Sequence, residues 1–374
     1  MYGMEPKNCK RRILLAVSGM SPQILTETLY ALACVQRPAF IPTEIHLLTT
    51  ASGARSARHK LLHGGNFVRL CKEYGLDPEL FKEQNIHLLC DAQGQPLEDI
   101  RTARENEIAA DQIVDWVRRF TSDPCAALHL SLAGGRKTMG YFAGYALSLF
   151  GRAQDRLSHV LVSSGYESHP EFFFPTRESH LIEVGNGRVL DARDARVELA
   201  DIPFVRLRTE IPQPLLEGGA GFSETIRHIQ RIDEPPRLEL DLTCRQLRAS
   251  GLAVELPPML FAFYAWIVQR HLRDDSRPCA ADLREPNGLF ADELMTLVRS
   301  VEGEMGRDRE LTERSLKNGM DKAYFEEKKS RVNKILESQL GKALARNYQI
   351  TRFGKRPNTS YGLALEKENI DWRD

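Results

Sequence analysis

Over the first 200 positions, apolar residues fall into short unbroken runs separated by longer segments in which they recur every three or four positions. Unbroken runs predict strands buried on both faces, and the wider spacing predicts helices. The runs at 13–17, 45–48, 86–89, 127–132 and 157–162 are the predicted strands. Residues 23–34, 56–74, 106–120 and 138–150 have helical character, the third with Ile108, Ile113, Val114, Val117 and Phe120 near one face. This alternation predicts an α/β domain: a Rossmann-like parallel sheet with helices on both faces and a ligand crevice at the carboxyl ends of its strands. A closing hairpin is expected from 179–184 and 187–190, turning at Gly185-Asn186-Gly187.

The pattern then changes. Residues 201–221 are rich in proline and glycine, including Pro203, Pro212, Pro214 and Gly218-Gly219, and read as a connector; 222–232 is one linking helix. Beyond it come short strands at 238–243 and 252–256 and an apolar helix at 259–272 opened by Pro257-Pro258. A polar, irregular insertion with short helices of its own is expected over 274–309. Residues 311–325 are helical around Gly319, and 328–344 form an amphipathic helix on Val332, Ile335, Leu336, Leu340 and Leu344. Strands at 348–353 and 360–365 join through Gly354-Lys355-Arg356-Pro357. That order predicts a winged helix-turn-helix, giving three parts: 1–200, a linker and helix over 201–235, and 236–374.

Composition narrows the class. Hydrophobic content of 42% and charged content of 27% over 374 residues suit a globular chain, and 51 basic against 51 acidic residues leave the overall charge uninformative. Lys10-Arg11-Arg12 precedes an apolar run of only five residues, too short for a signal sequence. The longest apolar runs, near 257–268, fall far short of the ~20 residues of a membrane span, so a cytoplasmic protein without a membrane partner is expected. Seven cysteines without a C-x-x-C pair argue against disulfide frameworks and zinc ribbons, and the ten histidines show no metal-ligand spacing; no metal or cofactor is expected.

The chemistry concentrates after the fourth strand. Gly134-Gly135 is followed by Arg136, Lys137 and Thr138 at a helix start. Glycines let backbone N–H groups approach a phosphate, the helix terminus adds partial positive charge, and the cations add full charges. A P-loop ending on Lys137-Thr138 would need glycine at 131 and 136, where Ser131 and Arg136 stand, and no G-x-G-x-x-G occurs here. The loop after the first strand brings Ser18, Gly19 and Ser21 to the same sheet edge, with Ser21 suited to capping the next helix and Pro22 to its first position. Farther on, Tyr166, His169 and the phenylalanines of 172–174 would stack on bases, cover the pocket, or pack in a core or dimer contact.

A second charged feature lies in the C-terminal part. Between 315 and 360 there are eleven Lys/Arg against four acids, a local excess of the kind nucleic-acid contact needs. Arg331, Asn333 and Lys334 would sit on the exposed face of a recognition helix, with Lys355 and Arg356 on the wing, making double-stranded DNA a further candidate partner.

The turn Val17-Ser18-Gly19-Met20-Ser21-Pro22 and the segment Leu132-Ala133-Gly134-Gly135-Arg136-Lys137-Thr138-Met139 resemble those of the CARF (CRISPR-associated Rossmann-fold) proteins. With a winged helix after them, the chain looks like the CARF–winged-helix branch found beside type III CRISPR systems. The resemblance covers roughly residues 1–190 in detail and the last third as a fold pattern. It implies a homodimer whose paired domains form a pocket for a cyclic oligoadenylate, most often cyclic tetra-adenylate. Some members are ring nucleases, in which a ribose 2′-OH attacks its neighbouring phosphate without a metal and leaves a 2′,3′-cyclic phosphate. Carried over by motif, Lys137 and Arg136 would stabilise the transition state and Ser21 or Ser18 would orient the ribose. Ser18, Gly19, Met20, Ser21, Gly134, Gly135, Arg136, Lys137 and Thr138 would contact the ligand. No histidine lies in either loop, so no general base is assigned and turnover should be slow. Effector members carry an R-x-x-x-x-H motif that the C-terminal third lacks, Arg237 and His271 standing alone, which disfavours an RNase. Two alternatives to a ring nuclease stay open: a ligand-responsive winged-helix transcription regulator, and a domain for an ordinary mononucleotide.

Overall fold

The computed structural model describes residues 5–132, 134–167, 169–184, 188–218, 221–273, 277–302, 307–355 and 359–374. The chain forms two compact units, one from residues 1–208 with 216–224, the other from 209–215 with 225–374.

The first unit contains β1 (Arg11–Val17), α1 (Gln23–Tyr30), β2 (Glu44–Thr49), α2 (Ala51–Ala57), α3 (Asn66–Tyr74), β3 (Ile86–Leu88), α4 (Ala103–Ser122), β4 (Ala126–Ser131), α5 (Lys137–Phe150) and β5 (Arg156–Val162). A small hairpin, β6 (Leu181–Glu183) with β7 (Val189–Asp191), and an edge strand, β8 (Val197–Asp201), complete it. The main sheet runs β3-β2-β1-β4-β5-β8, parallel except for β8, which pairs antiparallel with β5. Residues 13–17 of β1 are all fully buried, so both faces of the strand are covered and its apolar run has no polar alternation. The structure is thus mixed α/β with a six-stranded, mostly parallel sheet, consistent with a Rossmann-like fold.

Local chemistry explains where it departs from the sequence expectation. Helical structure over 56–74 is not continuous: it breaks at Gly64-Gly65, where Gly65 takes a φ of +71°, so α3 starts afresh at Asn66. α4 begins earlier than expected, because Thr102 and Glu105 form a reciprocal capping box (Glu105 N to Thr102 Oγ1, 3.2 Å; Thr102 N to Glu105 Oε2, 2.8 Å). Strand β8 was not anticipated; only Val197 of it is buried, so its apolar signal is faint. Phe172, Phe173, Phe174 and Tyr166 pack into the core of this unit, with Tyr166 Oη donating to Asp191 O at 2.8 Å. The expected turn at 185–187 lies outside the described residues.

In the 209–230 stretch the chain forms two helices, α6 (Gln213–Glu217) and α7 (Phe222–Gln230). The second unit has a sheet of β9 (Leu238–Asp241), β10 (Gln246–Ala249), β11 (Leu252–Val254) and the last strand of the chain, Ile370–Arg373, which runs parallel to β9. Helices α8 (Pro258–Leu272), α9 (Gly288–Glu302), α10 (Arg307–Leu316), α11 (Lys322–Leu340) and α12 (Lys342–Ala345) follow, then a hairpin of β12 (Thr351–Phe353) and β13 (Ser360–Gly362). The C-terminal strand has no counterpart in the sequence expectation, and of the helices expected within 274–309, α9 is a long one whose Phe290, Leu294, Val298 and Val301 join the unit's core with Trp266 and Phe325. Its polar composition reflects one solvated face.

Candidate functional site

Strand order places the site. From β1 the chain moves outward through β2 and β3, then returns to lay β4 on the other side of β1. Such a reversal leaves a crevice outside the carboxyl ends of the two strands, where open α/β sheets take their ligands. The loops leaving β1 and β4 are those carrying Ser18–Ser21 and Gly134–Thr138.

They touch through backbone. A Cβ built on Gly19 would stand 3.2 Å from Gly135 Cα, and one on Gly135 would meet Gly19 N and Met139 Sδ at 3.2 Å. Gly135 has a φ of +81° and Gly134 of +117°, a region open to glycine and strained for other residues. Ser18 is fully buried; its N–H donates to Leu48 O at 3.1 Å and its hydroxyl to Ser21 O at 3.1 Å, which fixes the loop's shape. Thr28 of α1 and Ser131 at the end of β4 share a hydroxyl–hydroxyl bond of 3.1 Å, tying helix to strand behind the rim.

Two helix N-termini open onto this edge. Neither α1 nor α5 has a side-chain N-cap bond. Ser21 is therefore not the cap that sequence suggested: Pro22 takes the N-cap position, and the Ser21 side chain is exposed. The uncapped N–H groups and the helix dipole are left to attract an anion.

The cations differ in availability. Arg136 forms a bidentate pair with Asp99, Nε to Oδ1 at 3.2 Å and its terminal nitrogen to Oδ2. That pairing, with N–H donation from Ile100 and a bond from Arg101, holds the Asp99 carboxyl down at about 2. Lys137 and Thr138 are exposed in the first turn of α5, and Lys137 has no acid partner among the described residues. Met20 is exposed on the rim, its carbonyl accepting from Ser56 Oγ at 3.1 Å. Sequence reasoning missed Asp99, an aspartate with no motif around it.

Beside the rim lies a cavity of about 240 Å³, walled by Ser21, Gln23, Ile24, Glu27 and Gly134, by residues 159–162 of β5, and by Glu167. Glu27 is buried, and desolvation, reinforced by Glu167, pushes its carboxyl up to about 8. Neither Gln23 nor Glu27 was singled out from sequence, since both read as ordinary helix polar residues. Among the described residues, no cluster of three or more His, Cys, Asp or Glu is placed to hold a metal, and no helix is long and apolar enough to cross a membrane.

The expected nucleic-acid face of the second unit is only partly free. Arg331 is exposed but pairs with Glu327 at 3.3 Å, and Lys328 and Lys329 pair with Glu327 and Glu326. Asn333 is not on an exposed face: its amide bonds both backbone groups of Ile350 (Nδ2 to O, 3.0 Å; Ile350 N to Oδ1, 2.9 Å). Lys334 and Lys355 are exposed and without acid partners among the described residues; Arg356 lies outside them.

No curated protein matches the chain. A family model does, over residues 21–235, which is more than half of the chain and takes in α1, the β4 glycine turn and the cavity. The chain belongs to the CRISPR-associated protein NE0113 family.

Proposed function

We propose that the first unit is a CARF-type receptor for a cyclic oligoadenylate, cyclic tetra-adenylate in the first instance. Two copies pair so that their rims face one ring, and the protein serves type III CRISPR signalling. The observation that carries this reading is the backbone contact of Gly19 with Gly135, which sets two uncapped helix termini and Lys137, without an acid partner among the described residues, at one strand-order reversal. A ring of phosphates needs that combination: backbone donors close in, with positive charge and little side-chain bulk.

The same geometry suits slow cleavage. A 2′-OH held in line with its neighbouring phosphate displaces the 5′-oxygen of the next nucleotide, which takes up a proton to leave as a 5′-hydroxyl while the 2′-OH proton is lost to solvent. A 2′,3′-cyclic phosphate remains, and the step taken at two opposite linkages of a four-membered ring gives two linear di-adenylates. Lys137 would neutralise charge on the phosphoryl oxygens and the exposed Ser21 hydroxyl would orient the ribose. Ser18 serves by shaping the loop, because its hydroxyl is already donated to Ser21 O. Arg136 joins only if it leaves Asp99. Incubating the protein in excess with cyclic tetra-adenylate and EDTA tests the step: di-adenylate with a cyclic phosphate is expected, and an intact ring that nevertheless binds would leave a receptor without nuclease activity.

A second reading, a ligand-controlled winged-helix regulator, is supported by Lys334 on α11 and Lys355 on the β12–β13 turn, both exposed and without acid partners among the described residues. A gel shift on the protein's own promoter with and without the ring tests it; no affinity at low salt would remove it.

A further inference from the structure

A second cavity, of about 200 Å³, lies away from the rim, where Glu5 and Lys7 precede β1 and Arg156 opens β5. Those are the amino ends of the strands, whereas the rim is at their carboxyl ends. Gln36, Phe40 and His129 form its walls with Arg156. His129 of β4 is 1% exposed and stands beside Arg156 in register. Its Nε2 is bonded to Ser158 Oγ at 2.7 Å, and its Nδ1 has no hydrogen-bond partner among the described residues. Burial and the adjacent Arg156 charge hold the ring at about 3, so it stays neutral. The Gln36 Oε1 is buried and is also without a partner among the described residues. Arg156 donates from one terminal nitrogen to Ala153 O at 2.8 Å and Asp155 O at 2.9 Å. Its Nε and second terminal nitrogen have no acceptor among the described residues. Phe40 supplies an apolar side, its ring centroid 5.4 Å from that of His129.

Buried polar atoms are nearly always paired, and a water would answer one of them. Three such groups around an apolar wall, in a space several times the ~30 Å³ share of one water, fit a larger occupant. A cavity of about 150 Å³ is enough for a benzene ring. The charge of the lining selects the charge of the occupant. Glu5 and Lys7 pair with each other at 3.0 Å and His129 is neutral, which leaves Arg156 to set the sign. The open edge of its guanidinium, Nε with one terminal nitrogen, matches the two oxygens of a carboxylate. Gln36 and His129 need a group that serves either as donor or as acceptor, since an amide can turn over and an imidazole has two tautomers. A hydroxyl does both.

We propose that the cavity between Gln36, His129 and Arg156 binds a small hydroxy acid no larger than one substituted ring, with its carboxylate on Arg156 and its hydroxyl between Gln36 and His129. The site is separate from the rim, and the inference stands independently of the oligoadenylate reading.

The test titrates the full-length protein with 4-hydroxybenzoate, with benzoate, which lacks the hydroxyl, and with 4-hydroxybenzamide, which lacks the charge. Wild type should bind 4-hydroxybenzoate at about 1 mM or tighter, and each of the other two about tenfold more weakly. Gln36→Leu should narrow the preference over benzoate to about threefold or less and leave the preference over the amide unchanged. Arg156→Gln should do the reverse. Thermal unfolding of Gln36→Leu should match wild type, since the variant removes a buried oxygen that has no partner among the described residues, so lost affinity would not reflect lost folding. Should Arg156→Gln fail to fold, the Gln36→Leu comparison decides alone. Equal binding of the three probes by wild type, no binding of 4-hydroxybenzoate at about 10 mM, or a preference over benzoate that survives Gln36→Leu would overturn the site.

Discussion

Gly19 and Gly135 lie 116 positions apart in the chain yet meet backbone to backbone, each where a Cβ on the other would come within 3.2 Å. The contact joins the β1 loop to the α5 terminus, and the candidate site depends on it. Gly135→Ala adds both a Cβ facing Gly19 N and a side chain at φ +81°. The expected outcome is a loss of about 1–3 kcal/mol in denaturant unfolding, with ring affinity falling further than stability alone explains. Gly19→Ala, without the positive φ, should cost less.

Arg136 and Lys137 stand side by side but should respond in opposite ways to changes around them. Lys137→Ala removes a rim cation that has no acid partner among the described residues and should weaken ring binding about tenfold or more. Asp99→Asn releases the guanidinium of Arg136 from its partner, so binding should tighten severalfold, more so at low salt. Calorimetric titration at two ionic strengths reads both signs.

Stability should be bounded on both sides of pH. Burial holds the His87 imidazole down at about 4 and the fully buried His129 ring at about 3. A hydrogen bond with His46, supported by Arg11, holds Glu44 at about 2. The unfolded chain takes up protons at these groups before the folded chain does. The histidine contribution is thus complete above about 6.5 and lost as pH falls through 4, and that of Glu44 is lost lower still. Glu27 has the opposite sign: its folded value lies above the ordinary one, so stability declines as pH rises from about 4.5 through 8. Thermal midpoints against pH should therefore peak between these arms. Glu27→Gln should lift the alkaline arm by about 2 kcal/mol or more at pH 8 and leave the acid arm unchanged.

Asn333 should separate structure from nucleic-acid contact in the second unit. Its amide closes both backbone bonds of Ile350, so Asn333→Ala should destabilise the chain by about 1–3 kcal/mol. Lys334→Ala and Lys355→Ala should leave unfolding unchanged and, on the regulator reading, reduce DNA affinity and its salt slope.

What could be read from sequence follows from where the information resides. Strands β1, β2 and β4 declared themselves because burial on both faces removes polar alternation, as in residues 13–17. The rim was legible because glycines, hydroxyls and cations sit next to one another along the chain. Strand β8, with a single buried residue, and α9, with one solvated face, gave too little contrast. Glu27, Gln23 and Asp99 were illegible for another reason: burial against β5 and pairing across the fold give them their chemistry, and an isolated acid or amide on a helix or loop carries no trace of either.

The most direct measurement is a calorimetric titration of cyclic tetra-adenylate into wild type and Lys137→Ala. Saturation at one ring per two chains is predicted for wild type, with affinity about tenfold or more weaker in the variant. No binding by wild type, or equal binding by both proteins, would contradict a phosphate-ring cup built on the Gly19–Gly135 contact.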